Sequence, residues 1–366
     1  MRSSEYPTLV MVVLFSFIIG LFLAEGLLIV LNIEPAPNLL CTYISDETRG
    51  HALYPNLSGH FVYEPEIDMN FTINKLGMRG SEPDEKLKKI FLAGDSVSFG
   101  YSVDQNESFA AKTNQEIKKF GYELLNLGTP GYGLTQSLIT IKKNLVFNNP
   151  EIVVLEITTP NDWSDDYTFT TVGPTNWVDE QHCMVSKRPA GVITTIKSIA
   201  YRNSRLARLI NKNFRQENLI ESNNVISDSL LKDPTQIVVQ ARQIQRQRLN
   251  EFRELQSQYH FKSLILLIPS RIETDEVFFN QTIQNTRPAN EYNRREQIEF
   301  YLGICKEMGF ECIDMGKAFE EEYQSESAST EYYNHKIDHH PNKKGNLFIA
   351  ETLIPEIVQK IQEDTN

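Results

Sequence analysis

Residues 89–100 read KIFLAGDSVSFG. The apolar run from Ile90 to Ala93 is halted by Gly94, the mark of a short buried strand. Asp95 and Ser96 come directly after. Glycine, aspartate and serine are ordinary loop formers, so a plain turn accounts for them. They also suit a serine nucleophile held at the carboxyl edge of a sheet. The tripeptide does not choose between the two, and the partners of a nucleophile must come from elsewhere in the chain.

Outward from this stretch, strand and helix patterns alternate. Residues 108–120 read as a helix stopped by Gly121, and residues 122–127 as a second strand ending in NLGTPGYG. A helix over 134–147 leads to a third strand, EIVVLEI, at 151–157. Residues 262–268 (KSLILLI) and 311–315 are two more strands, and 291–308 and 343–362 are amphipathic helices. Alternation of this kind predicts an α/β fold, a parallel sheet with helices on both faces. Such sheets bind ligands outside the carboxyl ends of their strands. Ser96, Gly131 and Asn161 each follow one of those ends. Residues 163–259 read as a largely helical insertion beside this edge, with helical patterns over 193–212 and 234–258.

The chain has 366 residues and a net charge of −12, which argues against a nucleic-acid partner for the molecule as a whole. Its charge is uneven: 13 Lys/Arg stand against 6 Asp/Glu between Lys187 and His260. Arginines there, such as Arg202, Arg205 and Arg208, fit a solvated helix face, a subsite for an anionic glycan, or a contact with acidic headgroups. Residues 8–31, TLVMVVLFSFIIGLFLAEGLLIVL, are long enough to cross a bilayer. An uncleaved anchor is expected, because the apolar region is long for a signal peptide and Phe22 spoils a small-x-small cleavage pattern before Ala24. Glu25 is costly inside such a span and sits close enough to its end to reach the interface. Charges on the two flanks favour the amino terminus inside and the bulk outside. Residues 32–86 read as a connector and an irregular lead-in, and 87–366 as the main domain. The four cysteines, Cys41, Cys183, Cys305 and Cys312, fit an oxidising compartment and have no Cys-x-x-Cys spacing. A local Cys305–Cys312 disulfide and simple buried thiols both suit the last two.

Near the carboxyl end stands NHKIDHHPNKKG, residues 334–345. A carboxylate two residues from an imidazole can orient the ring through one nitrogen and leave the other free to take a serine proton. No His-Glu-x-x-His helix accompanies it, so neither a metal nor a cofactor is expected.

Gly94-Asp95-Ser96, Asn126 to Gly131, Thr159-Pro160-Asn161-Asp162 and Asp338-His339-His340-Pro341-Asn342 together resemble the four blocks of the SGNH, or GDSL-type, hydrolases. NKLGMRG, residues 74–80, is similar to the lead-in of membrane-anchored bacterial members. The resemblance implies a flavodoxin-like three-layer sandwich with a five-stranded, mostly parallel sheet. It also implies a catalytic set of Ser96, Asp338 and His340, with an oxyanion hole from the backbone N–H of Ser96 and Gly131 and the side-chain amide of Asn161. Two departures stand out. Thr159 replaces a glycine of the third block, and the last block is spaced Asp-x-His rather than Asp-x-x-His. His340 is preferred over His339 as base, since neighbouring side chains on an extended loop point apart.

The function so expected is ester hydrolysis through an acyl-serine, on O-acyl groups of an envelope or exported polysaccharide, by a membrane-anchored enzyme facing the extracytoplasmic side. The partners expected are the membrane and an acylated glycan or small ester. A glycan O-acyltransferase with the same serine, and a catalytically idle glycan-binding or assembly module, are the alternatives.

Overall fold

The computed structural model describes residues 5–31, 41–63, 66–174, 176–178, 182–186, 204–207, 209, 227–284, 286–322, 329–334 and 340–363. The chain divides into two compact units, residues 1–38 with 188–219 and residues 39–187 with 220–366.

The larger unit is built on five strands, β1 (Lys88–Ala93), β2 (Tyr122–Asn126), β3 (Pro150–Thr158), β4 (Lys262–Ile268) and β5 (Cys312–Asp314). Their order across the sheet is β2-β1-β3-β4-β5, and every neighbouring pair is parallel. This is the flavodoxin-like order, with β1 and β3 adjacent at the switch point. Helices α1 (Phe109–Ile117), α2 (Leu134–Leu145), α3 (Asp162–Val172), α4 (Gln236–Tyr259), α5 (Glu296–Met308) and α6 (Lys343–Gln362) surround it.

Because successive strand residues point to opposite faces, each strand supplies two cores. Phe91, Val153, Leu155, Ile265 and Leu267 meet Leu138 and Ile141 of α2, Leu249 and Phe252 of α4, and Tyr301 of α5. Ile90, Leu92, Val154, Leu264 and Leu266 meet Phe109 of α1 and Ile349, Leu353 and Ile357 of α6. Burying each of these side chains stabilises the fold by roughly 1.5–3 kcal/mol before chain entropy is counted. Helix ends follow sequence signals. Ser108 caps α1 by accepting from Ala111 N at 3.2 Å, and Gly309, at φ +75°, ends α5.

Two expectations change here. Helix α4 buries Leu249, Phe252 and Leu255 in the sheet core, so it is a layer of the sandwich. The excursion within 163–259 is correspondingly shorter, since α3 packs against α4 as well. The lead-in, for its part, is not irregular. Tyr43–Asp46 pairs with Gly50–Leu53, and Leu57–Tyr63 with Ile67–Ile73, as two antiparallel hairpins. Ile67, Met69, Phe71 and Ile73 are buried while Asp68, Asn70 and Thr72 are exposed, a period of two visible in the sequence itself. These apolar residues cluster with Tyr43, Phe61 and Phe99, the last of which ends the short helix that starts at Ser96. Disulfides join Cys41 to Cys183 and Cys305 to Cys312.

The smaller unit contains the helix Glu5–Val30, whose residues Val10–Val30 have the length and composition of a membrane anchor or a signal sequence. Glu25 has partners. Its carboxylate accepts from Ser204 Oγ at 2.7 Å, Arg205 N at 2.8 Å and Leu206 N at 2.9 Å. The Arg205 guanidinium donates to the Leu28 carbonyl at 3.3 Å. Arg202 and Arg208 lie outside the described residues.

Candidate active site

The site is assembled where β2, β1 and β3 end side by side. After β1 the chain must turn at once, and a Cβ on Gly94 would collide with the Glu156 carboxylate and Ser98 Oγ. Glycine is therefore required by close approach, not by turn preference alone. Asp95 then caps the short helix Ser96–Phe99, its Oδ1 accepting from Val97 N at 2.7 Å and from Thr158 Oγ1 at 3.1 Å. Ser96 occupies the first position of that helix.

Arg79 braces the turn from below. It is 3% exposed, and its guanidinium donates to the carbonyls of Phe99 (2.9 Å), Gly100 (2.6 Å) and Val103 (2.8 Å), stacking over the Phe99 ring at 4.8 Å. Carbonyls left open at a helix end favour a cation. Burial pushes Arg79 down to about 10, which leaves it charged at neutral pH. The NKLGMRG lead-in thus holds the turn that carries Ser96, with Asn74 Oδ1 accepting from Leu76 N and Met78 N to set its own bend.

His340 approaches from the loop before α6. Its Nε2 lies 2.7 Å from Ser96 Oγ, and the competing Ser96 contact, to Asp95 Oδ2, is long at 3.4 Å. The imidazole rests on the Tyr101 ring, with centroids 4.8 Å apart. Its backbone is tied on both sides. The His340 carbonyl accepts from Asn334 N at 3.0 Å, and the Pro341 carbonyl accepts from Ser102 Oγ at 3.1 Å and Asn346 Nδ2 at 2.9 Å. Asp338 and His339 lie outside the described residues.

Gly131, following β2, has φ +80°, a conformation that side-chain-bearing residues avoid. Among the described residues neither its N–H nor that of Ser96 donates a hydrogen bond. Asn161, following β3, uses its Nδ2 among the described residues only in a long contact to Asp165 Oδ2 at 3.3 Å. These are free or weakly used donors on either side of the serine.

The Thr159 departure has a physical account. Its Oγ1 lies 2.9 Å and 2.7 Å from the two carboxyl oxygens of buried Glu273. One hydroxyl can donate to only one of them. Burial pushes Glu273 up to about 8, so at neutral pH it carries a proton and makes the second bond. Thr159 is thereby anchored to Glu273. Further buried carboxyls lie behind the site. Burial, and then the nearby Asp95, raises Glu156 and Asp162 well above the ordinary range, and the same causes push Asp165 to about 8. Glu156 accepts from Ser98 Oγ at 2.9 Å, and its other carboxyl oxygen lies 2.8 Å from Thr158 Oγ1. Sequence inspection missed Glu156, Thr158, Glu273 and Tyr101. Only Glu156, a polar residue inside EIVVLEI, left a signal there. Among the described residues no group of three or more metal-ligating side chains gathers.

No protein-family model matches the chain, and no curated protein matches it. Solved structures do. An acetyl xylan esterase, AlAXEase, aligns at 13% identity over 74% of this chain and 99% of its own, with a TM-score of 0.40. A lipase/acylhydrolase from Enterococcus faecalis aligns at 14% identity over 74% and 95%, with a TM-score of 0.39. A variant of an acetyl-xylooligosaccharide esterase from Geobacillus aligns at 12% over 74% and 94%, with a TM-score of 0.42. The function of the chain has to be argued from its own side chains.

Proposed function

We propose that this protein is a membrane-anchored serine esterase of the SGNH type that removes a small O-acyl group from an envelope or exported polysaccharide. The observation that carries the proposal is the 2.7 Å approach of His340 Nε2 to Ser96 Oγ at the carboxyl edge of the sheet. His340 takes the hydroxyl proton as Oγ attacks the acyl carbonyl, and Asp338 is assigned the role of orienting the imidazole. The Ser96 and Gly131 N–H groups and the Asn161 amide receive the oxyanion. Collapse releases the sugar alcohol, which takes its proton from His340 and leaves an acyl-serine. Water, deprotonated by the same base, frees the acid and restores the serine. The two disulfides and the apolar helix support an extracytoplasmic placement.

The test is turnover of short p-nitrophenyl esters and of an acetylated polysaccharide by the detergent-solubilised full chain, with Ser96→Ala as control. Turnover confined to the wild type is expected. Acyl transfer to a sugar acceptor without hydrolysis would assign the same serine to a transferase, and no chemistry at all would leave a binding module. For placement, a carboxyl-terminal alkaline phosphatase fusion expressed in bacteria is expected to be active and to sediment with membranes. A shortened soluble product would instead mark the apolar helix as a cleaved signal.

A further inference from the structure

We infer that His51 is a positioning residue for this chemistry, holding the Gly131 N–H in line through the peptide unit it shares with Pro130. The inference rests on the esterase proposal. His51 belongs to the strand Gly50–Leu53 of the first hairpin, outside the sheet whose ends carry the other site residues. It is 1% exposed, and its Nε2 lies 2.9 Å from the Pro130 carbonyl oxygen.

A carbonyl oxygen only accepts, so the proton sits on Nε2 and Nδ1 keeps its lone pair. Burial pushes the imidazole down to about 4, so the ring is neutral at neutral pH. The Pro130 C=O and the Gly131 N–H belong to one planar trans unit and point in opposite directions, so fixing the first aims the second. Glycine supplies no steric resistance of its own to rocking of that plane. The tether has to come from outside, and His51 is the partner of that carbonyl.

His51 is itself held. Its ring meets Tyr43 edge-on at 5.1 Å and Tyr132 at 5.0 Å. The Tyr132 hydroxyl donates to the His51 carbonyl at 2.5 Å, so the residue next to Gly131 grips the same histidine from its other end. His51 and Gly131 also line one cavity of about 40 Å³. A hydrogen bond accepted by the carbonyl polarises the amide as well, making its N–H a better donor.

The test uses the full chain with a small neutral ester. His51→Phe keeps a ring and removes the donor, and kcat is expected to fall on the order of 10–100-fold, the cost of misplacing a catalytic group by about an ångström. KM is expected to stay within about twofold, because the lost interaction matters only when charge develops on the substrate oxygen. His51→Gln, whose amide reaches about where Nε2 sits, should recover most of the loss. His51→Met supplies a flexible donor-free side chain if phenylalanine disturbs packing, and thermal unfolding is followed for every variant. Unchanged kcat in a folded donor-free variant overturns the inference, as does a loss confined to KM or one that glutamine fails to repair. In each of these cases wild-type turnover leaves the esterase proposal standing. A wild type without turnover overturns both.

Discussion

Ser96→Ala and His340→Ala are each expected to lower kcat by several orders of magnitude, and the double variant to lose little more than either alone. Residues that act as a unit behave this way, since removing the base leaves a hydroxyl no better than solvent, and removing the hydroxyl leaves the base nothing to activate. The 2.7 Å contact makes the two a unit before substrate arrives. Steady-state kinetics with a short ester measure all three. His339→Ala is expected to retain most activity, because the neighbouring imidazole already occupies the position facing Ser96 Oγ. A dead His339→Ala beside an active His340→Ala would move the base by one residue.

Asn161→Ala is expected to lower kcat by roughly 10²–10³-fold with KM nearly unchanged, the usual cost of one oxyanion donor. The amide is available for the task because its present contact, to Asp165, is long. Asn161→Asp keeps the shape but removes both donors, so its loss should be no smaller. If instead KM rises and kcat holds, Asn161 binds substrate and the oxyanion is stabilised elsewhere.

The sheet was legible because its strands are buried on both faces. Ile90–Ala93, EIVVLEI and KSLILLI are short apolar runs bounded by turn residues, and no amphipathic helix pattern competes for them. The places of Ser96, Gly131 and Asn161 in loops after strand ends were legible for a related reason, each following a short apolar run. The lead-in hairpins were missed although Ile67–Ile73 alternates strictly, because short two-stranded ribbons have little local stability and their sequences carry many polar residues. Helix α4 was misplaced because its abundant Arg and Gln mask the Leu249, Phe252 and Leu255 stripe that faces the core.

Taken alone, the sequence determined the alternation of strand and helix, the apolar segment of anchor length, and the order of the four polar blocks. These are local properties, set by periodicity and by residues a few positions apart. Only the tertiary structure decided which imidazole faces Ser96, across 244 residues of chain. It alone paired Thr159 with Glu273, placed Arg79 against the turn that carries Ser96, and brought His51 to the Pro130 carbonyl. Each of these joins groups at least 20 positions apart, in one case 244. No local propensity encodes such meetings. They exist because burial of the flanking apolar residues forces the polar groups together and leaves each buried donor or acceptor to be satisfied by whatever the fold has brought within reach.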